Sequence, residues 1–222
     1  MAMVYGLNVK PLHGYYIESK PLDGNFKDAA LLDDSADEGL NPRGRTFTAG
    51  RPIDGVGLPT RMQVLDQKKN ALGDFDASTL LNVSGRAKAL IEEFEPDRHQ
   101  FFPVEFIDID GEHLEDRWFF IVCNRLDSVH RDRVEGMLLW RDRVWTPIQD
   151  FLRDMPDEIP AGYDTDQPTK LVFSLAQIGE AKVWRDKHFS AEAAYLSSDL
   201  TEAIERHDLT GLRLSESGVE AV

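Results

Sequence analysis

The spacing of apolar and polar residues is most regular from residue 79 onward. Leu80, Leu81 and Val83 predict a short buried strand. Ser84 is placed to cap a helix, and Ala87, Leu90, Ile91 and Phe94 then recur at helical spacing, with Arg86, Lys88, Glu92, Glu93 and Glu95 on the other faces. Pro96 ends that helix, because it disfavours helical geometry in the residue before it. Phe102, Val104, Phe106 and Ile107 then run into Asp110-Gly111, a dipeptide suited to a tight hairpin. The return strand, Trp118 to Val122, is apolar throughout, so it is expected to lie centrally with both faces covered. Alternation predicts a further strand over Met137–Trp145 and another at Leu171, Val172, Phe173 and Leu175. Ser198 is the candidate cap of a second helix carrying Leu200, Ala203 and Ile204 to about His207. Gly211 turns the chain into a short final strand at Leu212 and Leu214.

Val83–Phe106 and Leu196–Leu214 echo one another as strand, Ser cap, amphipathic helix, loop and strand. The echo is too short to be a sequence repeat and is read as architecture. The first thirty residues hold only a short strand or two, around Tyr15, Tyr16 and Ile17. Residues 33–60 carry so many Gly and Pro that no long element fits, and 153–169 are similarly loop-like. The expected fold is α+β: a mostly antiparallel sheet with a few packed helices and long loops. Residues 1–75 read as a loop-rich region, in the same domain or as a separate lobe; 76–215 form the core domain, and 216–222 a frayed tail.

Composition narrows the function classes. The net charge of −15, from 40 acidic and 25 basic residues, disfavours nucleic acid and anionic lipid as partners. It is compatible with plain solubility or with attraction to a basic protein. The single cysteine, Cys123, sits in an apolar run, so it reads as a buried, inert thiol in a reducing compartment. No signal peptide and no membrane-length apolar run is seen, so a cytoplasmic location is expected.

Candidate chemistry is sparse. His130-Arg131-Asp132 matches the catalytic-loop triplet of kinases, but Met137 stands where that motif needs Asn, and its other elements are missing. Asp108-Ile109-Asp110-Gly111-Glu112 begins like a calcium loop, yet its Gly comes fourth rather than sixth. The six histidines form no metal-binding pair at helical spacing, and neither a nucleophile elbow nor a P-loop is present. Arg131, Arg133, Arg141 and Arg143, near Trp140 and Trp145, form the most basic stretch; the interleaved acids favour local ion pairs over phosphate binding. No cofactor or metal is expected.

Two stretches resemble a known family. Leu81-Asn82-Val83-Ser84-Gly85-Arg86-Ala87-Lys88 through Glu95-Pro96, followed by His99-Gln100-Phe101-Phe102-Pro103-Val104, is similar to the predicted immunity proteins, family eleven, of bacterial polymorphic toxin systems. Ile178-Gly179, His188-Phe189, Tyr195 to Leu200 and Leu209 to Leu214 extend the resemblance. It implies a small protein that binds and neutralises a cognate toxin, and it supplies no catalytic residue. Ser84, His99, Phe101, Phe102 and Pro103 are expected to maintain the fold, with Pro103 at a sheet edge or bulge. Occlusion would then fall to acidic loops, either Asp33, Asp34, Asp37 and Glu38 or the acids of Asp154–Asp166. Two alternatives stay open: a metal-assisted hydrolase using Asp108, Asp110, Glu112 and His113, and an adaptor or structural subunit.

Overall fold

A computed structural model describes residues 3–68, 71–130, 138–141, 144–147, 171–189 and 194–221. In chain order the elements are β1 (Met3–Val9), β2 (Ser19–Pro21), β3 (Ala30–Leu31), β4 (Ile53–Asp54), β5 (Arg61–Val64), β6 (Phe75–Asp76), β7 (Asn82–Ser84), α1 (Gly85–Phe94), β8 (Gln100–Ile107) and β9 (His113–Ile121). Then come β10 (Arg125–Leu126), β11 (Leu138–Arg141), β12 (Val144–Pro147), β13 (Leu171–Ser174), α2 (Leu175–Ile178), β14 (Val183–Asp186), β15 (Tyr195–Leu196), α3 (Ser198–Arg206) and β16 (Leu212–Ala221).

The class is α+β as expected, and most ladders are antiparallel, but both large sheets are mixed. One runs β2-β5-β8-β9-β7-β6 and the other β10-β14-β15-β1-β16-β13. Parallel ladders join β5 to β8, β13 to β16 and β10 to β14. Parallel pairs need crossover connections, and these link segments that local pattern alone does not bring together.

The two sheets share one topology. In the first, β5 runs parallel to β8, β8 antiparallel to β9, β9 antiparallel to β7, and β7 antiparallel to β6. In the second, β13, β16, β1, β15 and β14 repeat those relations in that order. Phe119 lies between Phe102 and Asn82 as Gly6 lies between Ser215 and Tyr195. Each unit sends a helix from a serine, Ser84 or Ser197. Each helix buries the same three positions, Ala87, Leu90 and Ile91 in α1, and Leu200, Ala203 and Ile204 in α3. The echo in the sequence is therefore part of a larger structural repeat, and the second unit takes its central strand from β1.

This placement alters the expected boundaries. Residues 3–9, expected to be part of a loop-rich region, form the strand β1 in the middle of a sheet whose other strands come from residues 125–221. Residues 216–221, expected to fray, continue β16 against β1 and β13. The strand expected at Met137–Trp145 is instead a hairpin of β11 and β12. The cap of α3 is Ser197, one residue earlier than expected; its hydroxyl bonds Asp199 rather than a helix amide. The hairpin does turn at Asp110-Gly111, with Gly111 at φ 90°, but through the longer loop 108–112 between Ile107 and His113 rather than a tight two-residue turn.

The helices share a core with the inner faces of both sheets: Phe75, Val83 and Phe120 from one, and Leu7, Val183 and Leu196 from the other. The outer face of the first sheet is covered by Ile17, Ile53 and Leu58 from the loop-rich N-terminal region, packed on Val104, Phe106, Phe119 and Ile121. Outside the second sheet lie Val129 and Trp145, packed with Phe173, Trp184 and Tyr195. Arg117 of β9 is fully buried, donating to Asn82 Oδ1 at 2.6 Å, Gly73 O at 2.7 Å and Glu115 at 2.8 Å. Those partners offset the cost of removing a cation from water.

Candidate functional surface

The sequence motif surrounds a buried carboxylate, that of Glu95. The chain leaves α1 through Asp97, whose φ of 56° turns it back so that His99 meets Glu95. His99 has no exposed side-chain surface. Its Nδ1 accepts the Cys123 amide at 3.1 Å, which assigns the ring hydrogen to Nε2, and Nε2 donates to Glu95 Oε2 at 2.8 Å. Glu95 also accepts from the Val183 amide at 2.9 Å and from Asn124 Nδ2 at 2.8 Å, so one side chain ties the first unit to β14 of the second. Burial raises the Glu95 carboxyl pKa, but the hydrogen bonds from His99 and the Val183 amide, with the Lys182 backbone nearby, outweigh it and leave the group below its ordinary value.

A second carboxylate joins the units at the opposite end of α1. Asp74 accepts from the Ser84 hydroxyl at 2.7 Å, and from the Thr210 amide and hydroxyl at 2.8 and 3.0 Å. Burial raises this carboxyl as well, and its donors together with Arg86 bring it below the ordinary value. Ser84 meanwhile caps α1, accepting from the Ala87 amide. Phe101 stacks on Phe120 with ring centres 5.0 Å apart, and Phe102 packs against Gly55, where a Cβ would lie 2.1 Å from its ring. Pro103 is exposed on β8, just before the ladder with β5 begins at Glu105, so its missing N–H interrupts no bond there.

The acidic loop is only partly available to a partner. Asp37 accepts from Arg125 Nε at 2.7 Å and NH2 at 2.8 Å, and from Arg51 at 3.0 Å. Its bond to Arg125 holds the carboxyl well below the usual carboxylate range. Asp34 pairs with Arg43 at 3.0 Å and Asp33 with Arg51 at 3.5 Å, both on exposed carboxylates, and Glu38 is exposed. Three arginines thus offset most of the charge of the four acids. The acids of Asp154–Asp166 and the basic stretch at Arg131, Arg133, Arg141 and Arg143 lie outside the described side chains, as do Arg131 and Asp132 of the kinase-like triplet.

In the Asp108–His113 hairpin, Asp108 Oδ1 accepts the Asp110 and Glu112 amides at 2.8 and 2.9 Å, and His113 pairs with Asp116. Among the described residues no group of three or more His, Cys, Asp or Glu is placed to hold a metal ion. No helix there is long and apolar enough to cross a membrane. The Cys123 thiol is pushed up to about 11 by burial, far from the thiolate that nucleophilic chemistry needs.

Sequence reasoning missed a cleft of about 610 Å³ between the units, with Lys10, Arg185 and Arg213 in its lining and Tyr16 at one side. No acidic residue is among the described residues that line it. Leu12, Tyr15 and Tyr16 are each more than two-fifths exposed on the loop that leaves β1. The three cations come from three remote segments, so nothing local in the sequence signals them.

A family model described as the immunity protein family (Imm11) matches residues 12–219. The chain belongs to the Imm11 immunity protein family. A search of the curated proteins finds no match. The Imm11 match begins after β1, so it takes in the first unit, the loop-rich region around residues 33–60 and the second unit apart from its central strand.

Proposed function

We propose that this Imm11 protein binds a cognate toxin and neutralises it by occlusion, without turnover. The observation that carries this reading is the family match over residues 12–219. Two features of the fold agree with it. The polar groups of the motif are engaged in joining the two units, which suits a rigid binding scaffold. The exposed Leu12, Tyr15 and Tyr16 are side chains of the kind that anchor protein interfaces. From the acidic loop we retain Asp33, Asp34 and Glu38 as the carboxylates that steer a basic toxin surface, with Asp37 bracing the loop through Arg125.

The test is to express the tagged chain in its native cell and identify what binds it. The expected result is one stoichiometric partner that arrests growth when expressed alone and is silenced by co-expression of this chain. Recovery of the chain without such a partner, or a partner whose toxicity is unaffected, would overturn the reading. Asn and Gln at positions 33, 34 and 38 should slow association at low salt and leave dissociation nearly unchanged.

A further inference from the structure

The repeat exposes a position that is filled in one unit and open in the other. Beyond β9 the chain runs on into β10, which lies parallel along the outer side of β14. There Arg185 N donates to Asn124 O at 2.9 Å, and Lys187 N donates to Leu126 O at 2.7 Å. The corresponding segment of the other unit follows β1, and the corresponding edge is β6. That segment behaves differently. Lys10 N is taken by Gly211 O, and the chain turns at Pro11–Gly14 instead of joining β6. β6 therefore remains the last strand of its sheet, and since its Phe75 N already donates to Thr210 O at 3.0 Å, the open stretch is the one that follows it. Its continuation at Ala77, which matches Arg185 in the other unit, lines the 610 Å³ cleft.

We infer that this cleft is the docking site for an extended, carboxylate-bearing segment of the protein partner, lying along the continuation of β6 from Ala77 as β10 lies along β14 from Arg185. Sheet edges accept an added strand through main-chain bonds, and side-chain pockets then supply selectivity. The charge of the lining says which side chains such a segment carries. Lys10 and Arg213, both exposed, line the cleft in a chain whose net charge is −15. Arg213 also stands where the first unit has Gln100. Gln100 bonds the backbone of the segment packed on it, accepting from Ile53 N at 2.8 Å and donating to Ile53 O at 3.0 Å. A guanidinium in that place only donates, so it selects a carboxylate or carbonyl over an amide hydrogen. Tyr16 flanks the site with an exposed ring for the segment's apolar side chains.

This inference deepens the proposed function and rests on a protein partner, so its test has an arm that needs none. Lys10 and Arg213 are exposed, so Lys10→Glu with Arg213→Glu should leave the thermal midpoint unchanged. The control is Lys20→Glu with Lys27→Glu, two exposed lysines outside the cleft. In the first arm, the capped peptide Glu-Val-Glu-Val is titrated into isotopically labelled protein. The amides of Asn8, Ala77 and Arg213 should shift, the cleft variant should abolish the shifts, and Lys-Val-Lys-Val should produce none. No shift at those amides at millimolar peptide overturns the inference. So does an equal response to inorganic phosphate, which would make the cleft a general anion site. In the second arm, the toxin captured as above should bind the cleft variant at least tenfold more weakly than the control. Unchanged binding would leave the immunity reading intact and remove the cleft from it.

Discussion

Replacing Glu95 tests whether the motif holds the two units together. In Glu95→Ala, three donors lose a buried acceptor: His99 Nε2, the Val183 amide and Asn124 Nδ2, the last of which keeps its bond to Val183 O. An unsatisfied buried donor costs roughly 1–3 kcal/mol, and breaking a buried charged network costs about 3–5 kcal/mol. With Asn124 half compensated, about 4 kcal/mol is expected, a large share of the ~5–15 kcal/mol that stabilises a typical domain. Glu95→Gln keeps the shape and one acceptor but turns an amide N–H toward a donor, so about 2 kcal/mol is expected. Urea unfolding followed by tryptophan fluorescence measures both. The pH dependence supplies a second reading. The folded Glu95 carboxyl titrates below its ordinary value of 4.5, so its stabilisation is complete above that value and is lost as pH falls through the folded one. Wild type should therefore lose stability more steeply than Glu95→Gln below about pH 4.5. A loss under about 1 kcal/mol for Glu95→Ala, with parallel pH curves for wild type and Glu95→Gln, would refute the clamp.

Arg117→Met should cost about 3 kcal/mol by urea unfolding, because it strands Asn82 Oδ1 and Gly73 O in the interior. Gly211→Ala should lower the thermal midpoint well beyond Gly111→Ala: both have φ near 90°, but only at Gly211 would a Cβ meet a backbone atom, Phe75 O, at 2.0 Å. Cys123 should resist thiol reagents at pH 8 in the folded protein and react promptly once unfolded, since burial pushes its pKa up to about 11. Asp37→Asn should loosen the loop around Gly39 and Leu40, seen as faster amide exchange there, because two arginines lose their shared carboxylate.

What was legible in the sequence is what depends on neighbours in the chain. The Ser84 cap, the 3.6-residue spacing of Ala87, Leu90 and Ile91, the Pro96 stop and the Asp110-Gly111 turn each act within a few residues, and each is found where the pattern placed it. The motif from Asn82 to Val104 was visible for the same reason, although Glu95, its centre, looked like one more acid on a polar helix face. The placement of β1 was not legible. Its partners, β15 and β16, lie at the far end of the chain, and a seven-residue strand carries no mark of a partner that distant. The parallel ladders and the cleft cations were hidden likewise, since Lys10, Arg185 and Arg213 come to line one cleft only when β1, β14 and β16 join in a sheet.

The difference between the matched units says more about function than their likeness. On the outer face of the first sheet stand Ile121, Phe102 and Phe119, and the excursion through Ile17, Ile53 and Leu58 covers them. The matching positions in the second sheet are Asn8, Ser215 and Gly6, with Asn8 bonded to Ser215 at 2.9 Å and both half-buried. A face that must be covered for the chain to fold carries apolar side chains; one that stays in contact with water carries polar ones. The first unit has thus buried these positions under its own chain, while in the second, whose outer face is packed elsewhere under Val129 and Trp145, Asn8 and Ser215 stay half-buried and Arg213 exposed. A scaffold built from two like units offers two like surfaces. Among the described residues the two differ at these matched positions, and the cationic slot adjoins the less covered ones, which is where the proposed partner segment would dock.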